Sequence, residues 1–147
     1  MMRVFLDANV YFAGFESSEG ASALVLKLAR RGKLTILSSR LVLREADRNL
    51  RRKSSPSALK AFRRFLQNTK INVVPAPQEE MLKPYEPLIH PKDVPVLAAA
   101  VLSKAGFLLT LDRKHFLTSS LSSKLMKKIK IMPPGEFLRE VYLKGKI

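Results

Sequence analysis

Short runs of apolar and β-branched residues recur along the chain, and several stop abruptly at a polar residue. Arg3-Val4-Phe5-Leu6 ends at Asp7, Leu34-Thr35-Ile36-Leu37 at Ser38 and Ser39, and Phe107-Leu108-Leu109-Thr110-Leu111 at Asp112. Ile71 to Val74 is closed by Pro75 and Pro77, and Ile129-Lys130-Ile131 forms a last short run. These lengths predict five strands. Between them the apolar spacing changes to that of helices. Ala21 to Arg31 puts Leu24, Val25 and Leu28 on one face, and Gly32 can close it with a left-handed cap. Ser39 to Lys53 is helical again until Ser54, Ser55 and Pro56 break it. Ser55 as N-cap with Pro56 at the first helical position opens a further helix, turning Leu59, Phe62, Phe65 and Leu66 inward.

Beyond the third strand, Gln78 to Leu88 reads as a helix interrupted by Pro84 and Pro87, and His90 to Asp93 as a loop. Val94 to Lys104 is an apolar helix ended by Gly106, Thr118 to Ser123 a short Ser-rich loop, and Pro134 to Tyr142 the last helix. Strands alternating with helices long enough for crossovers predict an α/β fold with a mostly parallel sheet. There is no internal repeat and no linker, so residues 1–147 are read as one domain.

Charge changes the picture. With 27 Lys and Arg against 12 Asp and Glu, the chain carries a formal +15, yet 46% of it is hydrophobic. A disordered basic tail is excluded by that apolar content, and a polyanionic partner, nucleic acid above all, is favoured. The absence of cysteine removes disulfides, thiolate nucleophiles and cysteine-based metal sites, and two histidines leave little for a His-rich one. Met1 to Phe15 has too short an apolar run for a signal peptide, and no stretch reaches the ~20 apolar residues of a membrane span. A cytoplasmic protein without membrane contact is the expectation.

So few acids make each informative. Asp7 and Asp112 directly follow strands, where open parallel sheets place their ligands. Glu45 lies on the helix after the second strand, and Asp93 opens an apolar helix. Taken singly, each has a plain structural reading. Asp93 is an N-cap, Glu45 half of a surface pair with Arg48 or Asn49, and Asp7 and Asp112 turn or cap residues. Taken together, four carboxylates converge on one sheet edge of a strongly basic protein. Carboxylates held close repel one another, and a divalent cation with a taste for hard oxygen ligands relieves that repulsion.

Basic residues crowd the same region. Arg44, Arg48, Arg51, Arg52 and Lys53 lie on the Glu45 helix. Arg48 and Arg52 share its face, either as phosphate contacts or as a solvated surface. Lys124, Lys127, Lys128 and Lys130 form a second basic run. His90 and His115 read as exposed loop histidines, with proton transfer as the alternative. Tyr11 and Phe12 can stack a base, with core packing the simpler role for Phe12.

Val4 to Val10, with Asp7 followed two residues later by Asn9, resembles the opening motif of the PIN-domain ribonucleases. Ser39 to Leu50 resembles the helix that carries the family's glutamate, here Glu45. Asp93 to Ala100 is similar to its third motif, and Gly106 through Thr110-Leu111-Asp112 to His115-Phe116 is similar to its fourth. Pro133 to Leu138 resembles the tail of the VapC-like toxin subgroup. The resemblance covers nearly the whole chain. It implies a PIN-like three-layer fold, a central parallel sheet between helices, and a Mg²⁺- or Mn²⁺-dependent endoribonuclease acting on RNA. It also implies that Asp7, Asp93 and Asp112 hold metal directly or through water, with Glu45 as fourth ligand or outer base. Asn9 would orient Asp7, and Thr110 would support the Asp112 carboxylate or a water. A cognate antitoxin is implied as partner. So is a homodimer, formed by apolar residues near Leu59 to Leu66 or by Val141 and Tyr142. A PIN-fold RNA- or protein-binding module with little catalysis, and an RNA-maturation nuclease, are the alternatives.

Overall fold

The strands form where the apolar runs lie. The computed structural model, which describes residues 1–146, places β1 at Arg3–Leu6, β2 at Thr35–Ser38, β3 at Ile71–Val73, β4 at Phe107–Leu109 and β5 at Lys130–Met132. All five pair in parallel, in the order β3-β2-β1-β4-β5. Val4, Phe5, Leu6, Leu108 and Leu109 are wholly buried, as central parallel strands covered on both faces must be. Leu6 stands level with Leu109 across the β1–β4 pair. The residues that follow these two strands therefore emerge side by side.

Helices α1 (Ala8–Glu16) and α2 (Ala21–Arg30) connect β1 to β2, and α3 (Arg40–Lys53) and α4 (Pro56–Asn68) connect β2 to β3. The chain then doubles back across the sheet through α5 (Glu79–Leu82) and α6 (Val94–Leu102) to β4, and through α7 (Ser119–Leu125) to β5. It ends with α8 (Pro134–Phe137) and a π-helical turn over Leu138–Tyr142. Right-handed crossovers place α1 to α4 on one face and α6 and α7 on the other, giving three layers. The reversal of direction falls between β1 and β4. Such a switch point leaves a crevice at the carboxyl ends of the strands, where ligands of open α/β sheets bind.

Local chemistry explains the boundaries. The Ser39 hydroxyl accepts the Val42 N–H at the start of α3, and Ser55 does the same for Ala58 at the start of α4. After α2, Gly32 adopts φ +75°. The N–H groups of Gly32 and Lys33 donate back to the carbonyls of Ala29 and Leu28, the paired bonds of a Schellman cap. Pro84 and Pro87 cut the helix expected over Gln78 to Leu88 to the single turn of α5 and a 3₁₀ turn at Lys83–Tyr85.

Two helices were not among the predicted elements. Helix α1 is built from β-branched, aromatic and glycine residues that form helices poorly. Packing makes it, with Ala8, Val10, Tyr11 and Gly14 buried. At Gly14 a β-carbon would lie 2.3 Å from the Leu26 side chain and 3.3 Å from the Ser22 backbone, so α1 and α2 meet through the missing side chain. The stretch Thr118 to Ser123, expected as a loop, belongs to α7. Thr118 caps that helix by accepting the Leu121 N–H at 3.2 Å, and Leu121 and Leu125, four residues apart, go into the core.

The apolar residues expected to form a homodimer surface are largely occupied within the chain. Phe62 and Phe65 pack edge-on against Tyr11 and Phe15, and Tyr142 is buried beside Phe137. Leu41, Val73, Met81 and Leu111 are among the larger apolar side chains left exposed, Leu111 directly before Asp112. No helix among the described residues is long and apolar enough to cross a membrane.

Candidate active site

Asp7 leaves β1 directly into α1, and both of its oxygens are held. Oδ1 accepts the Ala8 N–H at 2.8 Å, the capping bond of α1. Oδ2 accepts the Thr110 hydroxyl at 2.8 Å and the Asn9 amide at 3.3 Å. Asn9 ties the two strand ends together, donating also to Thr110 Oγ1 at 3.2 Å and accepting the Leu111 N–H at 3.0 Å. Thr110, completely buried, was expected to support the carboxylate of Asp112 or a metal-bound water. Its hydroxyl donates to Asp7, and besides the Asn9 amide its oxygen accepts the backbone N–H of Asp112, at 3.1 Å, rather than touching the Asp112 carboxylate. The register explains this, because Thr110 follows Leu109 and so faces the residue after Leu6.

Thr110→Val removes a buried donor and acceptor while keeping the shape. It leaves Asp7 short of a bond and the Asp112 N–H unsatisfied, a cost of about 1–3 kcal/mol. Chemical denaturation should show a lower midpoint with an unchanged slope.

Two of the other acids, Glu45 and Asp93, lie close enough to act on the charge of Asp7. Burial, reinforced by the Glu45 and Asp93 carboxylates, pushes Asp7 up to about 6 despite the bonds from Thr110 and Ala8. Asp93 is 8% exposed and sits at the N-cap position of α6, yet its side chain makes no capping bond. It turns toward His115, whose Nδ1 lies 2.7 Å from its Oδ2. Asp112 spends Oδ1 on the N–H groups of Lys114 and His115, at 3.0 and 2.9 Å. Its Oδ2 lies 3.7 Å from the same His115 nitrogen. Glu45, half-buried, carries no side-chain hydrogen bond or ion pair among the described residues.

The PIN domain family model matches residues 3–114, most of the chain and all four carboxylates. The chain belongs to the PIN-domain family. Among solved structures it is similar to VapC20 from Mycobacterium tuberculosis, a sarcin–ricin-loop-cleaving toxin. That likeness has a TM-score of 0.55 and 14% identity, over 76% of this chain and 91% of that one. It is also similar to VapBC2 from Rickettsia felis bound to a DNA fragment from their promoter, with a TM-score of 0.56 and 18% identity, over 89% and 97% of the two chains. At these identities the likeness is one of fold. No curated protein matches.

The rest of this PIN domain's expected site separates into parts. Arg48 and Arg52 are exposed on α3, with no ion-pair partner among the described residues. Asp47, on the opposite side of α3 from Glu45, binds Arg63 through two bonds of 2.9 and 3.1 Å and pairs with Arg51. The Arg63 bonds hold its carboxyl below the usual range. Arg40 and Arg44 border an open groove of about 890 Å³ that runs from Ser39 past Val73 and Pro75 to Pro95, and none of the four acids lines it.

Two aromatic expectations change. Tyr11 is fully buried against Phe62, which removes it from base stacking, and burial drives its hydroxyl well above the ordinary range. His115 is not a free loop histidine. It lies half-buried between Asp93 and Asp112, with its ring stacked on His90 at 5.0 Å. The signal available for it was its place three residues after Asp112, which one turn brings back to the same side.

Proposed function

We propose that this PIN domain is a metal-dependent endoribonuclease that hydrolyses RNA phosphodiester bonds, serving as the toxin of a toxin–antitoxin pair. What supports the reading is the placement of Asp7 and Asp112 just beyond β1 and β4 at the switch point, with the Glu45 and Asp93 carboxylates acting on Asp7 and with Asp93 and Asp112 both facing His115, inside a chain of net charge +15. An acidic pocket repels RNA unless a cation occupies it, and the donors present are hard oxygens suited to Mg²⁺ or Mn²⁺. Burial lifts Asp7 first, and the Glu45 and Asp93 carboxylates add a repulsion that a dication relieves.

Asp7, Asp93 and Asp112 would hold the ion, directly or through water. Such an ion supplies Lewis-acid polarisation of the phosphodiester and a more acidic water. The remaining work belongs to the chain. Thr110 and Asn9 lock Asp7 in one orientation, so little reorganisation is left when substrate arrives. Glu45, free of other partners, takes the proton of the attacking water. Arg48 and Arg52 hold the phosphate backbone on the exposed side of α3, where contact is independent of sequence. A cognate antitoxin and a second copy of the chain complete the assembly in this reading.

Purified protein with Mn²⁺ or Mg²⁺ should cleave members of a panel of single-stranded and structured RNAs. EDTA should stop the reaction and added metal restore it. If no RNA in a broad panel is cut with either ion, the proposal fails.

A further inference from the structure

The Asp93–Asp112–His115 group lies outside the carboxylate-only picture. One ligand atom from each residue, two carboxylate oxygens and a ring nitrogen, falls within 4.8 Å of the others. Ligands around an octahedral ion with bonds of about 2.1 Å stand roughly 3 Å apart when adjacent and somewhat over 4 Å when opposite. The 3.7 Å separation of His115 Nδ1 from Asp112 Oδ2 falls in that range, and the 2.7 Å hydrogen bond from Nδ1 to Asp93 Oδ2 would open by a few tenths of an ångström to take an ion between them.

The nitrogen is also held in place. The Asp112 carboxylate accepts the His115 backbone N–H, Phe116 beside it is buried in the core, and the His90 ring lies nearly parallel to His115, 8° apart. His90 is anchored in turn by accepting the Lys92 N–H on its own Nδ1, at 3.1 Å, so that nitrogen is engaged. Asp93, in helical backbone at the end of a 3₁₀ turn over Pro91–Asp93, caps no helix and leaves its carboxylate to His115. These features orient a ring nitrogen toward two carboxylates, a larger provision than a single hydrogen bond needs.

We propose that His115 is a nitrogen ligand of the metal centre, and that it makes the site select a first-row transition ion such as Mn²⁺ over Mg²⁺. The inference rests on the metal-dependent reading above and adds the ion's identity to it. Mg²⁺ demands oxygen ligands and gives up water reluctantly, whereas imidazole suits the transition ions. Replacing one oxygen by nitrogen therefore weakens Mg²⁺ more than Mn²⁺. His90 is a positioning residue that fixes the plane of the ligand ring.

The test uses Mn²⁺ itself as the probe. Electron spin-echo envelope modulation of Mn²⁺ bound to the full chain should show a directly coordinated ¹⁴N. The signal should persist in His90→Gln and vanish in His115→Asn, which keeps a donor for Asp93. The Mn²⁺-over-Mg²⁺ affinity ratio, read from thermal shifts, should fall by about 10- to 100-fold in His115→Asn. Bound Mn²⁺ without nitrogen coupling, an unchanged ratio in His115→Asn, or no Mn²⁺ binding at all overturns the inference. RNA cleavage with no nitrogen coupling removes this inference alone. Nitrogen coupling with no cleavage of any RNA removes the ribonuclease reading alone.

Discussion

Asp7→Asn should abolish RNA cleavage while leaving the metal-free protein as stable as the parent, or more so, at pH 7.5. Most active-site substitutions that remove activity can be blamed on unfolding, and this one separates the two. The wild-type carboxylate is 7% exposed and lies within the fields of Glu45 and Asp93, so its charge is a burden on the folded state above its raised pKa of about 6. Asparagine keeps an oxygen to accept the Ala8 N–H, and so the cap of α1, while its NH₂ no longer accepts from Thr110 and Asn9, a loss that the relief of the buried charge offsets. It loses the charge that the bound cation needs. That charge is worth several kcal/mol of transition-state stabilisation, at least about a hundredfold in rate. Cleavage time courses and melting curves on the same preparations check both halves. An active Asp7→Asn protein would remove Asp7 from the chemistry. An inactive protein that melts well below the parent would make its role structural.

The same residue shows what was legible in the sequence. A buried run that stops at an acid places that acid at the carboxyl end of a strand, as Val4-Phe5-Leu6-Asp7 and Phe107 to Asp112 both do, whether it serves there as cap or as ligand. The topology then brings these ends together, since β1 and β4 are neighbours although about a hundred residues separate them. The partner of Thr110 was not legible. Its hydroxyl serves Asp7 because of the β1–β4 register, which nothing local to Thr110 encodes. His115 escaped for a related reason: its neighbours Lys114 and Arg113 are exposed and mark the segment as surface, while the turn closed by Phe116 and Leu117 on the Asp112 carbonyl folds the ring inward. Helix α1 escaped because Val10, Tyr11, Phe12, Gly14 and Phe15 blur its helical signal, and contact with α2, α3 and α4 decides it.

These acids also predict how pH and metal act together. Asp7 rises from an ordinary 3.8 to about 6 in the folded protein, so between those values the folded state binds more protons than the unfolded one. Stability of the metal-free protein must then fall as pH rises from about 4 to about 6, by up to about 3 kcal/mol from this residue. Comparing wild type with Asp7→Asn across that range isolates the contribution, because the variant lacks the titrating group. Metal reverses the trend. A dication binds the ionised cluster, so its affinity drops as Asp7 takes up its proton below about pH 6. At pH 7.5 a concentration of Mn²⁺ 100 times its dissociation constant adds about 2.7 kcal/mol, a rise of roughly 5–10 °C for a chain of this size. At pH 5 the same Mn²⁺ should give a much smaller rise, and in Asp112→Asn at pH 7.5 almost none. An equal rise at both pH values would mean that the ion binds elsewhere, because no site built on Asp7 can hold a dication equally well with its central carboxylate neutral and with it charged.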